Sequence, residues 1–352
     1  MKQENVKPVP EADVAISSRI RLARNLDAYP FTPRLTRVQE TEILGKVKEA
    51  VFTSDTADMG ELSYYEINKL EPMDKQLLVE KHLISPDFAE GEGDRAVIVN
   101  QKENISIMVN EEDHLRLQCI FPGMQLETAW QLCSSLDTQL EGKLDFAFDK
   151  SSGYLTCCPT NAGTGIRASV MLHLPALSMT GYIKGILESC GKLGVAVRGI
   201  YGENSEASGN MFQISNQVTL GQTEEEIIAG IVNITAQITE QERILRAELY
   251  KQNPMRFEDR IFRSLGILKN ARIISTEESL KLLSDVRLGI IMGMMGGMEL
   301  NELNELMVEI QPAYLQKLSS RQLSPDERDT GRATLLRSKL AACIQEWKRS
   351  DE

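Results

Sequence analysis

The feature that most constrains the fold of this chain is a change of pattern at Asn253-Pro254. Before it, short strand-like runs alternate with amphipathic helices; after it, the strand pattern nearly vanishes and the periodic segments are helical. The charge changes at the same place. Residues 256–352 hold 15 basic and 15 acidic residues, whereas residues 1–255 hold 24 basic and 36 acidic residues, which accounts for the whole net charge of −12. The sequence therefore predicts two domains, 1–254 and 255–352.

The strand and helix signals of the first region predict its fold class. Capping boxes at Thr36 with Gln39 and at Thr223 with Glu226 each precede a helical apolar face. The runs that indicate strands are Arg95–Asn100, Ile105–Val109, Tyr154–Cys157, Ala168–Leu174, Val195–Tyr201 and Met211–Ser215. Short strands mixed with long helices favour an α+β domain with a largely antiparallel sheet flanked by helices, followed by an all-α C-terminal domain.

Composition excludes several classes of protein. With 42% hydrophobic and 26% charged residues, the chain is typical of a soluble globular protein, and its acidic balance argues against a nucleic-acid partner. The polar start shows no signal peptide, and the longest apolar run, Leu288–Met298, is too short for a membrane span of about 20 residues. Six cysteines without a CxxC pair and three histidines without zinc-site spacing predict reduced thiols, a cytoplasmic location and no protein-bound metal.

Arginines in apolar or glycine-rich surroundings are the strongest chemical signal. No phosphate-binding GxxxxGK[ST] loop is present. If the segment around Arg19 and Arg21 is extended, both side chains lie on one face. A guanidinium is costly to bury without an anion, and its planar donors suit phosphate oxygens. Each arginine taken alone fits a structural ion pair, whereas the group predicts a polyphosphate site made by Arg19, Arg21, Arg116, Arg167 and Arg198.

Three further segments carry polar or reactive side chains. The acidic run Asn110–His114 fits either a solvated turn or an active-site edge, and Gly202–Gly209 has the composition of a mobile loop. Cys157 and Cys158 precede a proline turn, where a thiol is usually buried and inert. The methionines and glycines between residues 289 and 298 fit a close helix contact better than a peptide-binding groove.

Four segments together resemble the catalytic domain of the phosphagen (guanidino) kinases, which transfer the ATP γ-phosphoryl group to a guanidinium nitrogen. They are Ser17–Asn25, Asn110–Arg116, Leu155–Val170 and Arg198–Glu203. Creatine and arginine kinases carry a helical domain before this region; because the first of the four segments begins at Ser17, that domain is expected to be absent here. Instead a helical region follows, and its RDxxRA sequence, Arg328–Ala333, is similar to the phosphoarginine-binding pocket of bacterial protein arginine kinases.

This resemblance implies roles for individual residues. Glu112, Glu203 and Cys158 would surround the acceptor guanidinium, and Arg328, Asp329, Arg332 and Ala333 would bind phosphoarginine at a regulatory site. His82 matches a histidine near the nucleotide base, on a short motif that also fits a structural histidine. The implied ATP contacts are Ser18, Arg19, Ile20, Arg21, His82, Arg116, Arg167, Ala168, Ser169, Val170, Met171, Arg198, Gly199, Ile200, Tyr201 and Gly202.

The resemblance also implies the wider function. The chain is expected to phosphorylate arginine in proteins with ATP and Mg²⁺, to mark those proteins for Clp protease degradation and to inactivate the class-three heat-shock repressor. Implied partners are arginine-bearing protein substrates, a Clp ATPase, a zinc-finger activator protein and a second copy of the chain in a dimer. Two alternatives stay open at this point: a small-molecule arginine kinase, and a non-catalytic adaptor that recognises phosphoarginine.

Overall fold

The computed structural model describes residues 9–54, 59–199, 207–319, 321–343 and 345–346. The helices are α1 (Arg37–Phe52), α2 (Pro72–Glu80), α3 (Pro86–Glu90), α4 (Leu126–Glu141), α5 (Pro175–Thr180), α6 (Ile183–Lys192), α7 (Glu224–Gln252), α8 (Pro254–Asn270), α9 (Thr276–Ile291), α10 (Leu300–Glu309), α11 (Pro312–Lys317) and α12 (Pro325–Cys343). Short 3₁₀ turns occupy Thr32–Arg34, Ile67–Lys69, Pro159–Asn161 and Ser208–Asn210.

An eight-stranded antiparallel sheet forms the centre of the first region. Its strands are β1 (Ala15–Arg24), β2 (Leu62–Glu66), β3 (Ala96–Asn100), β4 (Ile105–Val109), β5 (Leu115–Pro122), β8 (Ile166–His173), β9 (Val195–Gly199) and β10 (Met211–Asn216). They lie in the order β2-β3-β4-β5-β1-β8-β10-β9, and every pair of neighbours is antiparallel. Two small antiparallel pairs lie outside it: β6 (Phe148–Asp149) with β7 (Gly153–Tyr154) in a hairpin, and β11 (Met295–Gly296) with β12 (Gln345–Glu346), which are distant in sequence. The predicted α+β class with an antiparallel sheet is confirmed.

The two faces of the sheet differ in character. One face carries Ile20, Leu22, Leu117, Val170 and Ile214, all fully buried, and packs with residues of α4 and α7 into the main hydrophobic core. The alternation of strand residues then leaves the polar side chains on the opposite face. Two cavities lie against this second face along β1, β5 and β8, so it is the place where a ligand could bind to the sheet.

Several strand bounds differ from the sequence prediction. The predicted strand Tyr154–Cys157 ends at Tyr154, because the next residues bond outside any ladder: the Leu155 amide donates to Ala147 O and the Cys157 amide donates to the Asp113 carboxylate. Strand β9 ends at Gly199, and residues 200–206 lie outside the described residues. Strands β2 and β5 were not predicted, although Leu115, Leu117 and Cys119 of β5 do alternate with the polar residues Arg116 and Gln118.

The region after Pro254 has a hydrophobic core of its own, which also packs on the sheet. Leu283, Leu303, Leu306, Leu336 and Leu340 are buried in this second core. It includes Met211 of β10, so the helices cover one end of the polar sheet face. The contact is close at Gly209, where an added Cβ would lie 3.0 Å from the Leu280 carbonyl oxygen of α9.

The methionines and glycines between residues 289 and 298 form a close helix contact, which is the interpretation that the sequence favoured over a peptide-binding groove. A Cβ on Gly289 of α9 would lie 2.5 Å from the Ile261 side chain of α8 and 2.9 Å from Met295 Cε. Met295 and Met298 are themselves buried in the second core. These methionines therefore fill space beside a glycine that lets two helices approach.

The predicted helix starts are confirmed at the level of individual hydrogen bonds. The side chains of Thr36 and Thr223 each accept a hydrogen bond from the amide three residues later. The side chain of the glutamine or glutamate at that position in turn accepts a hydrogen bond from the backbone amide of the cap residue. Ser324 forms the same pair of bonds with Glu327 at the start of α12. Across the described part of the chain, no helix is both long and apolar enough to cross a bilayer.

Candidate active site

The strand register brings the five predicted arginines to one face of the sheet. Arg21 of β1 pairs with Arg167 of β8, and Ala23 of β1 pairs with Arg116 of β5. Arg198 of β9 pairs with Gln213 of β10, which in turn pairs with Met171 of β8. Paired residues of an antiparallel ladder point to the same side, so Arg19, two residues from Arg21, completes the group. We call these five residues the arginine face.

The arginine face has more positive charge than its protein partners neutralise. Burial, followed by the charges of Arg19, Arg116 and Arg167, holds the pKa of Arg21 well below its usual range. The pKa of Arg167 is lowered by burial and then by Arg198 and Arg116. The buried Nε atoms of Arg21 and Arg167 have no hydrogen-bond partner. Like charges held together with unpartnered donors fit a polyanionic ligand, and a triphosphate meets that requirement.

The neutralising carboxylate within the arginine face is Glu111, which the sequence analysis missed. Arg116 Nη1 donates to Glu111 at 2.6 Å and the Ser85 hydroxyl donates at 2.7 Å. Burial opposes ionisation of Glu111, but Arg116 and these bonds outweigh it and lower its pKa. The only sequence signal was its place in the acidic run beside Glu112. Glu111 therefore orients Arg116 and is not itself available to an acceptor.

Glu112 and Asp113 lie at the turn between β4 and β5 in different environments. Glu112 is exposed, and its pKa is raised by partial burial and then by the charge of Asp113, against the opposing charge of Arg116. Asp113 is 2% exposed; it accepts from Asn25 Nδ2 at 2.6 Å and from the Cys157 amide at 2.7 Å. Asp113 thus fixes the Cys157-Cys158 loop against the acidic turn, a role that no sequence pattern indicated.

Cys158 lies within this group. Its Sγ is 3.0 Å from Thr160 Oγ1, and the residue is partly exposed at the start of a 3₁₀ turn. Both Cys158 and Glu112 are near enough to Arg167 to favour its charged form. The structure therefore brings a carboxylate and a thiol to the edge of the arginine face, where an acceptor would meet a bound phosphate.

His82 stands between two cavities that open onto the arginine face. One, of about 610 Å³, is lined by Arg21, Arg116 and Ser85; the other, of about 380 Å³, is lined by Ser169, Met171 and residues of α10. Arg19 and His82 line both. Burial, and then the charge of Arg19, lowers the pKa of His82 to about 4, so its imidazole is neutral at pH 7.

The predicted nucleotide residues on β1 and β8 divide between the two sheet faces. Ser169 and Met171 share the face of the arginines. The side chains of Ser18, Ile20, Ala168 and Val170 are buried on the opposite face, and Ser18 Oγ donates to Gly123 O at 2.8 Å. Gly199 ends β9 beside Arg198, whereas the predicted contacts Ile200, Tyr201 and Gly202 and the predicted acceptor residue Glu203 lie outside the described residues.

The RDxxRA residues lie on α12, separate from the arginine face. Arg332 is 1% exposed; its Nε donates to Ile310 O at 2.7 Å, its Nη1 donates to Ile274 O at 2.9 Å, and it forms an ion pair with Asp329. Ala333 is fully buried, and Arg328 is partly exposed with a bond to Leu323 O. Arg328 is thus the accessible arginine of the motif in this conformation.

The described residues contain no group of three or more His, Cys, Asp or Glu side chains that could hold a metal ion. The five cysteines whose side chains are described, Cys119, Cys133, Cys157, Cys158 and Cys190, are free thiols.

Comparison with known families accounts for both regions. Residues 42–245 match the family model of the ATP:guanido phosphotransferase C-terminal catalytic domain, and residues 254–351 match that of the protein-arginine kinase McsB C-terminal domain. The chain is 51% identical over 333 residues to a protein-arginine kinase of Moorella thermoacetica, covering 94% of this chain and 95% of that protein. It is 47% identical over 352 residues to one from Bacillus pumilus, covering 100% and 96%.

Solved structures show the same catalytic fold. The duplicated taurocyamine kinase of Schistosoma mansoni with bound transition-state analogue components matches with a TM-score of 0.58 and 28% identity, over 65% of this chain and 33% of that one. Lombricine kinase matches in fold with a TM-score of 0.59 and 24% identity, over 67% and 68%. Together with the arginine face, the two family matches and the near full-length relatives lead to one conclusion: the chain belongs to the protein-arginine kinases of the ATP:guanido phosphotransferase family.

Proposed function

We propose that this chain transfers the γ-phosphoryl group of ATP to the guanidinium group of arginine residues in proteins. The observation that carries the proposal is the arginine face, with its unpartnered buried Nε atoms at Arg21 and Arg167, next to the exposed carboxylate of Glu112. The charged donors suit the triphosphate and the carboxylate suits a guanidinium. Donor and acceptor of a phosphoryl transfer therefore have sites of opposite charge side by side.

On the donor side, the protein's contribution is positioning and neutralisation of charge. Phosphoryl transfer passes through a loose transition state whose charge lies on the phosphate oxygens, so fixed donors around it lower the barrier. Glu111 fixes Arg116 for this purpose, and Gln213 accepts from Arg19 Nη2 at 2.6 Å. Mg²⁺ bound to the β- and γ-phosphates would supply further neutralisation of the same oxygens.

On the acceptor side, the difficulty is that an arginine guanidinium keeps its proton and its lone pairs are delocalised. Glu112, with Glu203 assigned by family resemblance, would hold the group so that one nitrogen faces the γ-phosphorus. The N–P bond forms as the bond from phosphorus to the β,γ-bridging oxygen breaks, ADP leaves, and the nitrogen's proton passes to Glu112. A raised pKa makes Glu112 a better proton acceptor than an ordinary glutamate.

The finer parts of the proposal rest on family resemblance. They are a division of labour between a catalytic domain, 1–254, and a phosphoarginine-binding domain, 255–352; activation through Arg328, Asp329, Arg332 and Ala333; and dimerisation. They also include cytoplasmic action on the class-three heat-shock repressor, Clp-dependent degradation of the products and a zinc-finger activator protein. Because Arg332 is bonded to protein carbonyls, phosphoarginine binding at α12 would first engage Arg328 or displace those bonds.

The test is direct detection of the product. The full-length chain is incubated with ATP, Mg²⁺ and a mixture of an arginine-rich model protein and free L-arginine, and acid-labile phosphoarginine is measured by mass spectrometry in both. We expect phosphorylated arginine in the protein. A double variant, Arg21→Ala with Arg167→Ala, should form none and should not bind ATP.

Two results would contradict the proposal. Phosphorylation of free arginine with none in the protein would make the chain a small-molecule kinase. No product in either acceptor, with phosphoarginine still bound by the chain, would make it an adaptor.

A further inference from the structure

The cavity of about 380 Å³ has walls from both regions of the chain. Strand residues Ile16, Met171 and Met211 line one side, and α10 lines the other with Asn304 and Val308. Its volume is within the range of roughly 300–1,000 Å³ that small-molecule sites occupy. Arg19 and His82 join this cavity to the arginine face, so a nucleotide whose phosphates bind the arginines can extend its base toward α10.

The cavity is mainly apolar, with amide and carboxylate side chains on the α10 wall. Such a lining suits a flat aromatic ring with polar atoms at one edge, which is the chemistry of a purine base. On the α10 wall, the side chain of Asn304 is fixed in place by a buried partner.

Arg287 of α9 sets the orientation of the Asn304 amide. It is fully buried, with Nη1 donating to Asn304 Oδ1 at 2.7 Å and Nη2 donating to Ala12 O at 2.6 Å. Arginine can only donate, so the amide oxygen must face Arg287 and the NH₂ group must face elsewhere. Nδ2 of Asn304 makes no hydrogen bond to a described residue, which leaves a donor on the cavity wall.

The family resemblance puts the nucleotide base beside His82, which lines this cavity, and we propose that Asn304 of the helical region donates to N1 of the adenine bound there. The inference rests on the proposed function and deepens it, since it assigns part of ATP recognition to α10 and not to the sheet alone. A guanine base presents an N–H donor at N1, so the Asn304 amine would face a donor and bind guanine poorly.

Asn304→Asp tests this with little change of shape. The carboxylate keeps an acceptor for Arg287 and removes the donor. Isothermal titration of the full chain with ATP, GTP and inorganic tripolyphosphate should show ATP affinity reduced about tenfold, which corresponds to about 1.4 kcal/mol. The affinity for GTP should rise relative to the affinity for ATP. The affinity for tripolyphosphate should not change, because tripolyphosphate binds only to the arginine face.

Two further variants complete the experiment. Asn304→Leu removes the donor without adding charge. It should weaken the binding of ATP without strengthening the binding of GTP. Asn270→Asp makes the same chemical change at the exposed end of α8 and serves as the matched control. The unfolding midpoint of each variant is measured to establish that it is folded.

The outcomes separate this inference from the proposed function. If the wild-type chain binds neither ATP nor tripolyphosphate, the arginine face is not a nucleotide site and both proposals fail. If the wild-type chain binds ATP and both folded Asn304 variants keep the same ATP affinity and the same ATP-to-GTP ratio, the contact between Asn304 and adenine is overturned and the phosphate site stands. An equal loss of ATP and tripolyphosphate binding would also overturn it, since Asn304 would then act on the phosphate site.

Discussion

At the scale of single residues, neighbouring carboxylates in the turn after β4 have three separate tasks. Glu111 is paired with Arg116, Glu112 is exposed toward the site, and Asp113 is buried against Asn25 and the Cys157 amide. The acidic run was visible in the sequence as one feature. The different environments arise because β5 and the Cys157 loop approach the turn from two sides.

Glu112→Gln should separate binding from chemistry. The amide keeps the shape but loses the charge and the proton acceptor, so we expect kcat for protein phosphorylation to fall by about 10²–10⁴-fold with little change in ATP affinity. Rates from phosphoarginine mass spectrometry and affinities from titration check this. Glu127→Gln, an exposed glutamate on α4, is the control; a Glu112 variant as active as that control would remove Glu112 from the mechanism.

Asp113→Asn should shift the pH dependence of the reaction. Burial and then the charge of Asp113 raise the pKa of Glu112, and Glu112 must be ionised to accept a proton. Removing the Asp113 charge lowers that pKa, so the acid limb of the kcat profile should move to lower pH. Asparagine keeps a carbonyl oxygen for Asn25 and Cys157. An acid limb at the wild-type position would show that Asp113 has only a structural role.

At the scale of elements, α11 depends on a carboxylate from the other region. Its N-cap residue Gln311 makes no side-chain capping bond, and Glu80 of α2 accepts instead from the Ala313 amide at 2.8 Å and the Tyr314 amide at 3.0 Å. Burial raises the pKa of Glu80, against these bonds. The helix starts at Thr36, Thr223 and Ser324 were predictable because their caps are local, whereas this cap joins residues more than two hundred positions apart.

Glu80→Ala should therefore weaken the contact between the two regions. Loss of the cap leaves two buried amides without partners, and we expect the free energy of unfolding to fall by about 1–3 kcal/mol. Urea denaturation followed by circular dichroism measures this. Glu71→Ala, at the N-cap of α2 where the side chain makes no capping bond, should change stability much less. Equal effects of the two substitutions would contradict the capping role.

At the scale of the whole molecule, buried polar contacts join the sheet to the helices after Pro254. His173 of β8 lies 2.8 Å from the Ser284 hydroxyl of α9, and Asn210 Nδ2 donates to the same oxygen at 2.8 Å. Burial, and then the charges of Arg287 and Arg246, holds the pKa of His173 well below its usual range. The pKa of His114 is also lowered, mainly by burial. Both imidazoles are therefore neutral in the folded chain.

This pattern makes the fold sensitive to acid. As the pH falls through about 6.5, the unfolded chain takes up protons at these histidines before the folded chain does, so stability falls as pH falls. Each contributes a slope of about 1.4 kcal/mol per pH unit between the unfolded and folded pKa values. His173→Gln should reduce the slope of the unfolding free energy against pH by the contribution of one proton. Urea unfolding between pH 7.5 and 5.5 measures this slope. An unchanged slope would mean that His173 titrates normally in the folded chain.

The amino-acid sequence by itself determined the helix starts, the antiparallel α+β class, the change of pattern at Pro254 and the common face of Arg19 and Arg21. These depend on caps, alternation and residue spacing, which act over a few neighbouring positions. Only the tertiary structure decided that Glu111 pairs with Arg116, that Asp113 holds the Cys157 loop, that Arg332 is buried and that α10 walls a cavity beside the arginine face. Arg287 shows the reason: it joins Asn304 on its own side of Pro254 to Ala12 on the other, and such contacts exist only after distant elements have packed together.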